Sequence, residues 1–201
     1  MRGHQPRDGM RLLLLALLGA LLTVPAAAKD KPPVLYSIPL PPQPDFSQLD
    51  WLVGEWMGKT TSSGPPGGVH FSARYDLGKR FMILQGEVSL PAGKSAPASQ
   101  ESWLGILGAS PDGLGYILRT FSSTGFIARY RVTVEGPEIR FDPEGGEKPP
   151  PGWLFRRLVQ RTGVAEFTEN VQVAPPGKSF FDYYTAKLNR VEAQEKTGKD
   201  K

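Results

Sequence analysis

Between Asp45 and Leu188 the chain is cut into short β-rich runs by Gly, Pro, Ser and Asp turns, and no long helical period interrupts them. The turn signals are GPPGG at 64–68, LGKR at 77–80, SPDG at 110–113, STG at 123–125, EGP at 135–137, RTG at 161–163 and PPGK at 175–178. Gly supplies positive φ, Pro presets φ, and Asp and Ser bond their own backbone, so each cluster reverses the chain. Strands are expected at about 53–60, 68–76, 80–90, 100–108, 114–122, 125–134, 138–142, 152–160, 164–173 and 179–188, ten in all.

Several runs alternate. In VHFSARY, Val69, Phe71, Ala73 and Tyr75 share one face, against His70, Ser72 and Arg74. In FIARYRVTV, Phe126, Ala128, Tyr130, Val132 and Val134 oppose Arg129, Arg131 and Thr133. Burial of one face at period two belongs to an antiparallel sheet with one wet side. Ten such strands joined by short turns leave two exposed edges when flat, and closure removes them. The expected fold is therefore all-β, an antiparallel up-and-down β-barrel of about ten strands with a short N-terminal helix. That helix is DFSQLDWL, Asp45–Leu52, with Asp45 or Ser47 as N-cap. In the stretch LDWLVGEWMG, Gly54, Trp56 and Gly58 alternate onto one face, a large ring between two absent side chains. This suits a crowded barrel end, with Leu49 and Leu52 closing it as a floor.

A short helix, then LDWLVGEWMG (49–58), YDLGKRFM (75–82) and GILGASPDGLGYILRTFSSTG (105–125), resembles the lipocalin-like (calycin) barrels. More narrowly, the pattern is similar to bacterial ten-stranded barrels related to nitrobindin, including an exported family of unknown function. The resemblance spans about residues 45–188 and bears on fold far more than on function. Nitrobindins hold haem iron through a His near the C-terminal strands, whereas this chain has no His after His70. Tyr183 and Tyr184 offer phenols there instead, and Tyr can ligate haem iron. No cofactor is expected, and haem in particular is disfavoured.

The N-terminus reads as an address. Arg11 precedes the apolar stretch Leu12–Val24, followed by Ala26, Ala27 and Ala28, a secretory signal peptide over 1–28 with an A-x-A cleavage site. Thirteen apolar residues fall short of the ~20 a membrane helix needs. Residues 29–44 carry six Pro and read as an extended tether, 45–190 as the barrel, and 191–201 as a polar tail. Cleavage after Ala28 leaves 21 basic and 19 acidic residues, a net +2 against +4 for the whole chain. That near-neutral balance, with export, argues against nucleic acid as a partner. The chain has no Cys, which excludes disulfides and thiolate chemistry and fits a bacterial periplasm or exterior. No membrane span is expected after cleavage.

Motifs for catalysis are scarce. With His70 as the one imidazole left after cleavage, no His-based metal site is expected. The GKS triplets at 93–95 and 177–179 lack the upstream Gly of a phosphate loop, and no G-x-S-x-G occurs. Glu166 and Glu169, three apart, face opposite sides of a strand. Two arginines stand out. Arg119 shares a face with Ile117 and Phe121, and Arg157 with Trp153, Phe155 and Val159, while Arg156 takes the solvated side. Turned inward, they would be joined by Gln85 and Glu87, which share a face with Phe81 and Ile83. Interior Arg is costly unless paired, so partners are sought in Glu87, Glu166, Asp182 or an anionic ligand. The candidate ligand-binding set is Trp56, Gln85, Glu87, Arg119, Tyr130, Arg157 and Tyr184. A module binding a small, mostly apolar, possibly anionic molecule is the favoured reading over an enzyme. The alternatives are a barrel isomerase or hydrolase using Glu87 with Tyr130 or Tyr184, and a filled barrel with a structural role.

Overall fold

The computed structural model describes residues 39–61, 65–93 and 97–192. The signal segment, the tether up to residue 38, most of the first GKS triplet and the tail from residue 193 lie outside them. A 3-10 helix, Ser47–Leu52, precedes ten strands: β1 (Gly54–Thr60), β2 (Gly68–Asp76), β3 (Phe81–Leu90), β4 (Ser99–Ala109), β5 (Tyr116–Ser122), β6 (Ile127–Glu135), β7 (Glu138–Lys148), β8 (Leu154–Arg161), β9 (Glu166–Ala174) and β10 (Phe181–Arg190). Each strand pairs antiparallel with its neighbours in sequence, and β1 pairs with β10 to close the barrel. Among the described residues no helix is long and apolar enough to cross a membrane, which says nothing of strands.

The expected N-terminal helix is present as a 3-10 turn, but its N-cap is Phe46, with no side-chain cap, rather than Asp45 or Ser47. The Ser47 N–H donates to the Asp45 carboxylate at 2.9 Å, and that bond lowers the Asp45 pKa. The helix closes one end of the barrel. Leu49 and Leu52 are buried there, and Trp56 Nε1 donates to the Leu52 carbonyl at 2.8 Å. Trp56 meets Phe167 edge-on at 4.9 Å between ring centroids, and Trp51 and Phe71 extend the same cluster. The Arg190 guanidinium lies 4.2 Å from the Trp56 ring centroid and donates to the Trp51 and Val53 carbonyls. Phe46 stacks on Tyr116, whose hydroxyl donates to the Asp45 carbonyl at 2.7 Å. Each large apolar side chain buried in this floor contributes about 1.5–3 kcal/mol. The two glycines flanking Trp56 have separate causes. A Cβ at Gly58 would run into the backbone of Lys187 on β10, and one at Gly54, where φ is +129°, would meet the Arg190 guanidinium.

One strand is longer than expected. β7 runs to Lys148 rather than stopping near Asp142, passing through Pro143, Gly145 and Gly146. Register shifts against β6 pass over Glu144 and over Gly146 and Glu147, while Pro143, Gly145 and Lys148 keep partners, so the segment is bulged and still paired. On its other edge β7 pairs with β8 over Glu138–Phe141 only. Beyond that point Arg156 of β8 reaches across to Asp142, Nε to Oδ1 at 2.6 Å.

Candidate functional site

The other half of the barrel holds a cavity of about 140 Å³. Its walls are mostly apolar: Val88, Trp103, Leu118, Phe126, Ala128, Phe141, Phe155 and Val171. Tyr130, Tyr184 and Arg157 bring polar groups inward, and Thr120, Ser122 and Thr124 add hydroxyls. Glu101, Arg156 and Tyr183 also line it, with Glu101 exposed. The strand alternation accounts for the set. On β5 the inward residues are Tyr116, Leu118 and Thr120, and on β3 they are Met82, Leu84, Gly86 and Val88.

Arg157 organises the inner wall. Its Nε lies 2.8 Å from Oε1 of Glu169, with the two side chains 20% and 7% exposed. Its guanidinium lies 4.2 Å from the Trp103 ring centroid. The Trp103 indole occupies the space where a Cβ at Gly86 would stand, so Gly86 makes room for the ring that Arg157 rests on. Among the described residues no other group takes a salt bridge or hydrogen bond from Arg157. Burial pulls the Arg157 pKa down, but Glu169 and then Tyr184 and Tyr130 outweigh it, and the net direction is up. Burial raises Tyr184 far above the ordinary phenol range, with Glu169 adding to it. Burial also raises Tyr130. At neutral pH Tyr130 and Tyr184 are therefore neutral phenols beside the Arg157 cation.

Several sequence expectations are corrected. Gln85, Glu87 and Arg119 lie on the outer surface, not inside. Gln85 and Glu87 line a shallow exterior groove with His70, Ser72 and Phe121, and Gln100 donates to Glu87 at 2.8 Å. Arg119 pairs with Glu147 at 2.5 Å in the open. The cause is that β3 and β5 carry bulky apolar residues on both faces. Phe81, Ile83, Ile117 and Phe121 sit outside, and side-chain bulk alone picked the wrong side. Glu87 consequently does not meet Tyr130 or Tyr184, and the acid/base pair drawn from them is not assembled. The Arg157 partner is Glu169, not Glu87, Glu166 or Asp182. Glu166 pairs outside with Lys187, and Asp182 accepts from Gln172. Arg156 is not simply solvated, since it pairs with Asp142 and lies 4.2 Å from the Phe180 ring centroid. Trp56 is inside but belongs to the floor, outside the cavity lining. Tyr130, Arg157 and Tyr184 do come together.

Two residues of the site went unrecognised in sequence. Glu169 sits in EFTENVQVA with Phe167, Val171 and Val173 on its face, a lone carboxylate in an apolar row. Trp103 shares the inner face of β4 with Gly105 and Leu107. Both signals were present in the alternation.

No family model and no curated protein matches the chain. The barrel has a counterpart among solved structures. The crystal structure of Rv2717c from M. tuberculosis matches with a TM-score of 0.52 and 18% sequence identity, covering 73% of this chain and 96% of that one. At this identity the likeness is one of fold.

Proposed function

We propose that this protein is an exported binding module that holds a small, mostly apolar molecule in the barrel mouth. The observation that carries the reading is the 140 Å³ cavity with apolar walls and a few convergent polar groups, Arg157, Tyr130 and Tyr184. A cavity of about 150 Å³ lined by apolar side chains accepts benzene, which sets the scale of the ligand. The signal-like N-terminus supports export to the periplasm or exterior. A relation to the nitrobindin-type barrels rests on the sequence resemblance, and haem is not part of the reading. His70 stands on the outer face 2.6 Å from Glu55, away from the cavity. An enzymatic role is less well supported, because Glu169, the buried carboxylate of the interior, is engaged by Arg157.

Ligand-detected NMR with a panel of uncharged single-ring compounds tests the proposal. Binding is expected, and Ala128→Leu, which puts a larger side chain into the cavity wall, is expected to weaken it at least tenfold. A native protein that binds none of the panel is a filled barrel, and the proposal fails.

A further inference from the structure

We infer that the cavity selects an uncharged ligand carrying a hydrogen-bond acceptor, such as a small amide, ketone or lactone, over the matching carboxylate. The inference rests on the binding-module reading and sharpens it, and the arrangement of charge carries it. Two guanidiniums line the cavity, Arg156 and Arg157, and each charge is already answered, Arg156 by Asp142 at 2.6 Å and Arg157 by Glu169. Glu169 stands 2.8 Å from the Arg157 Nε, is 5% exposed as a residue and does not line the cavity. Both guanidiniums are therefore paired with carboxylates before any ligand arrives, and neither brings a net positive charge to it.

An incoming carboxylate would give up its hydration for a site where the attraction of Arg157 is offset by the repulsion of Glu169. It would also pass Glu101, which lines the cavity and is exposed. Burying an ion without net compensation is unfavourable. A neutral carbonyl loses much less on leaving water. It still gains a charge-assisted hydrogen bond, which is stronger than a neutral one. The donors exist. One face of the guanidinium is against Trp103 and its Nε edge is toward Glu169, so the terminal nitrogens remain for a ligand. Tyr130 and Tyr184 line the same space. A flat body would then lie among Leu118, Phe141 and Phe155. In this scheme Glu169 is a specificity residue that acts through Arg157.

Benzamide and benzoate have nearly the same shape and differ in charge, which makes them a direct test, with toluene as the apolar reference. Dissociation constants at neutral pH are measured by NMR titration of the labelled full chain. Benzamide is expected to bind at least tenfold more tightly than benzoate. Glu169→Gln removes the compensating charge and is expected to tighten benzoate at least tenfold, closing or reversing the gap. Benzoate binding the wild-type protein as tightly as benzamide would overturn the inference while leaving the pocket reading intact. If toluene, benzamide and benzoate all fail to bind, the pocket reading itself fails. Should Glu169→Gln not fold, the wild-type ratio decides the matter alone.

Discussion

Arg156 and Arg157 are adjacent in sequence, and strand alternation sends them to opposite sides of the same wall. Their energetic roles follow from what surrounds each. Truncating Arg157 leaves Glu169 buried without its partner, a change that typically costs about 3–5 kcal/mol. Truncating Arg156 breaks a half-exposed pair with Asp142 and a contact with Phe180, worth about 1 kcal/mol. In a domain of this size ~1 kcal/mol shifts the melting temperature by roughly 2–4 °C. Arg157→Ala is therefore expected to lower it by about 10 °C or more by calorimetry, and Arg156→Ala by only a few degrees. Replacing Arg157 and Glu169 together with Met and Leu should recover most of the loss, because an absent pair costs less than a broken one. Equal, small effects of the two single substitutions would show that the Arg157–Glu169 pair does not carry stability.

The seam between β1 and β10 closes the barrel, and Gly58 is where it is tightest. A methyl group there would collide with the Lys187 carbonyl on the facing strand, and backbone cannot swing aside as a side chain can. Gly68, at the start of β2, has open space where its Cβ would go. Gly58→Ala is expected to cost about 1–3 kcal/mol through overpacking. Gly68→Ala should be neutral or stabilise by up to about 1 kcal/mol, since it restricts the unfolded chain. Urea unfolding of the two variants measures the difference, and a stable Gly58→Ala protein would mean that the seam is looser than described. At the opposite end β7 shows how a strand can pass through turn-forming residues. DPEGG is carried by bulges against β6, while on its other edge β7 pairs with β8 only as far as Phe141.

At the level of the whole molecule, the tyrosines report how the barrel is filled. Of six in the chain, Tyr75, Tyr116, Tyr130, Tyr183 and Tyr184 all have raised pKa values with burial as the largest cause. A raised phenol pKa means that the native state keeps a proton the unfolded chain releases near pH 10. The native state then binds more protons than the unfolded one, so stability is intact below about pH 10 and falls as pH rises beyond it. Tyrosinate absorbance followed through alkaline titration should show the buried Tyr184 ionising only as the protein unfolds. Tyr184→Phe should flatten the alkaline loss of stability. Ionisation of Tyr184 near pH 10 without loss of structure would contradict the buried placement of its ring.

Local chemistry determined the fold. Turn residues and period-two alternation act over a few positions, so each strand could be read on its own, and antiparallel closure follows from the need to pair every edge. The same alternation determined which residues of a strand travel together, including the opposed pair Arg156 and Arg157. It did not determine which of the two faces points inward on β3 and β5, because both faces are apolar there, and Gln85, Glu87 and Arg119 were assigned to the wrong side. That choice is made by the register around the closed barrel, which sets every strand's inner face at once. The pairing of Arg157 with Glu169 joins two strands and is a product of that register, and the stacking of Arg157 on Trp103 reaches across the interior to a third. The size of the cavity is likewise a tertiary quantity, the volume left when ten inward rows of side chains meet.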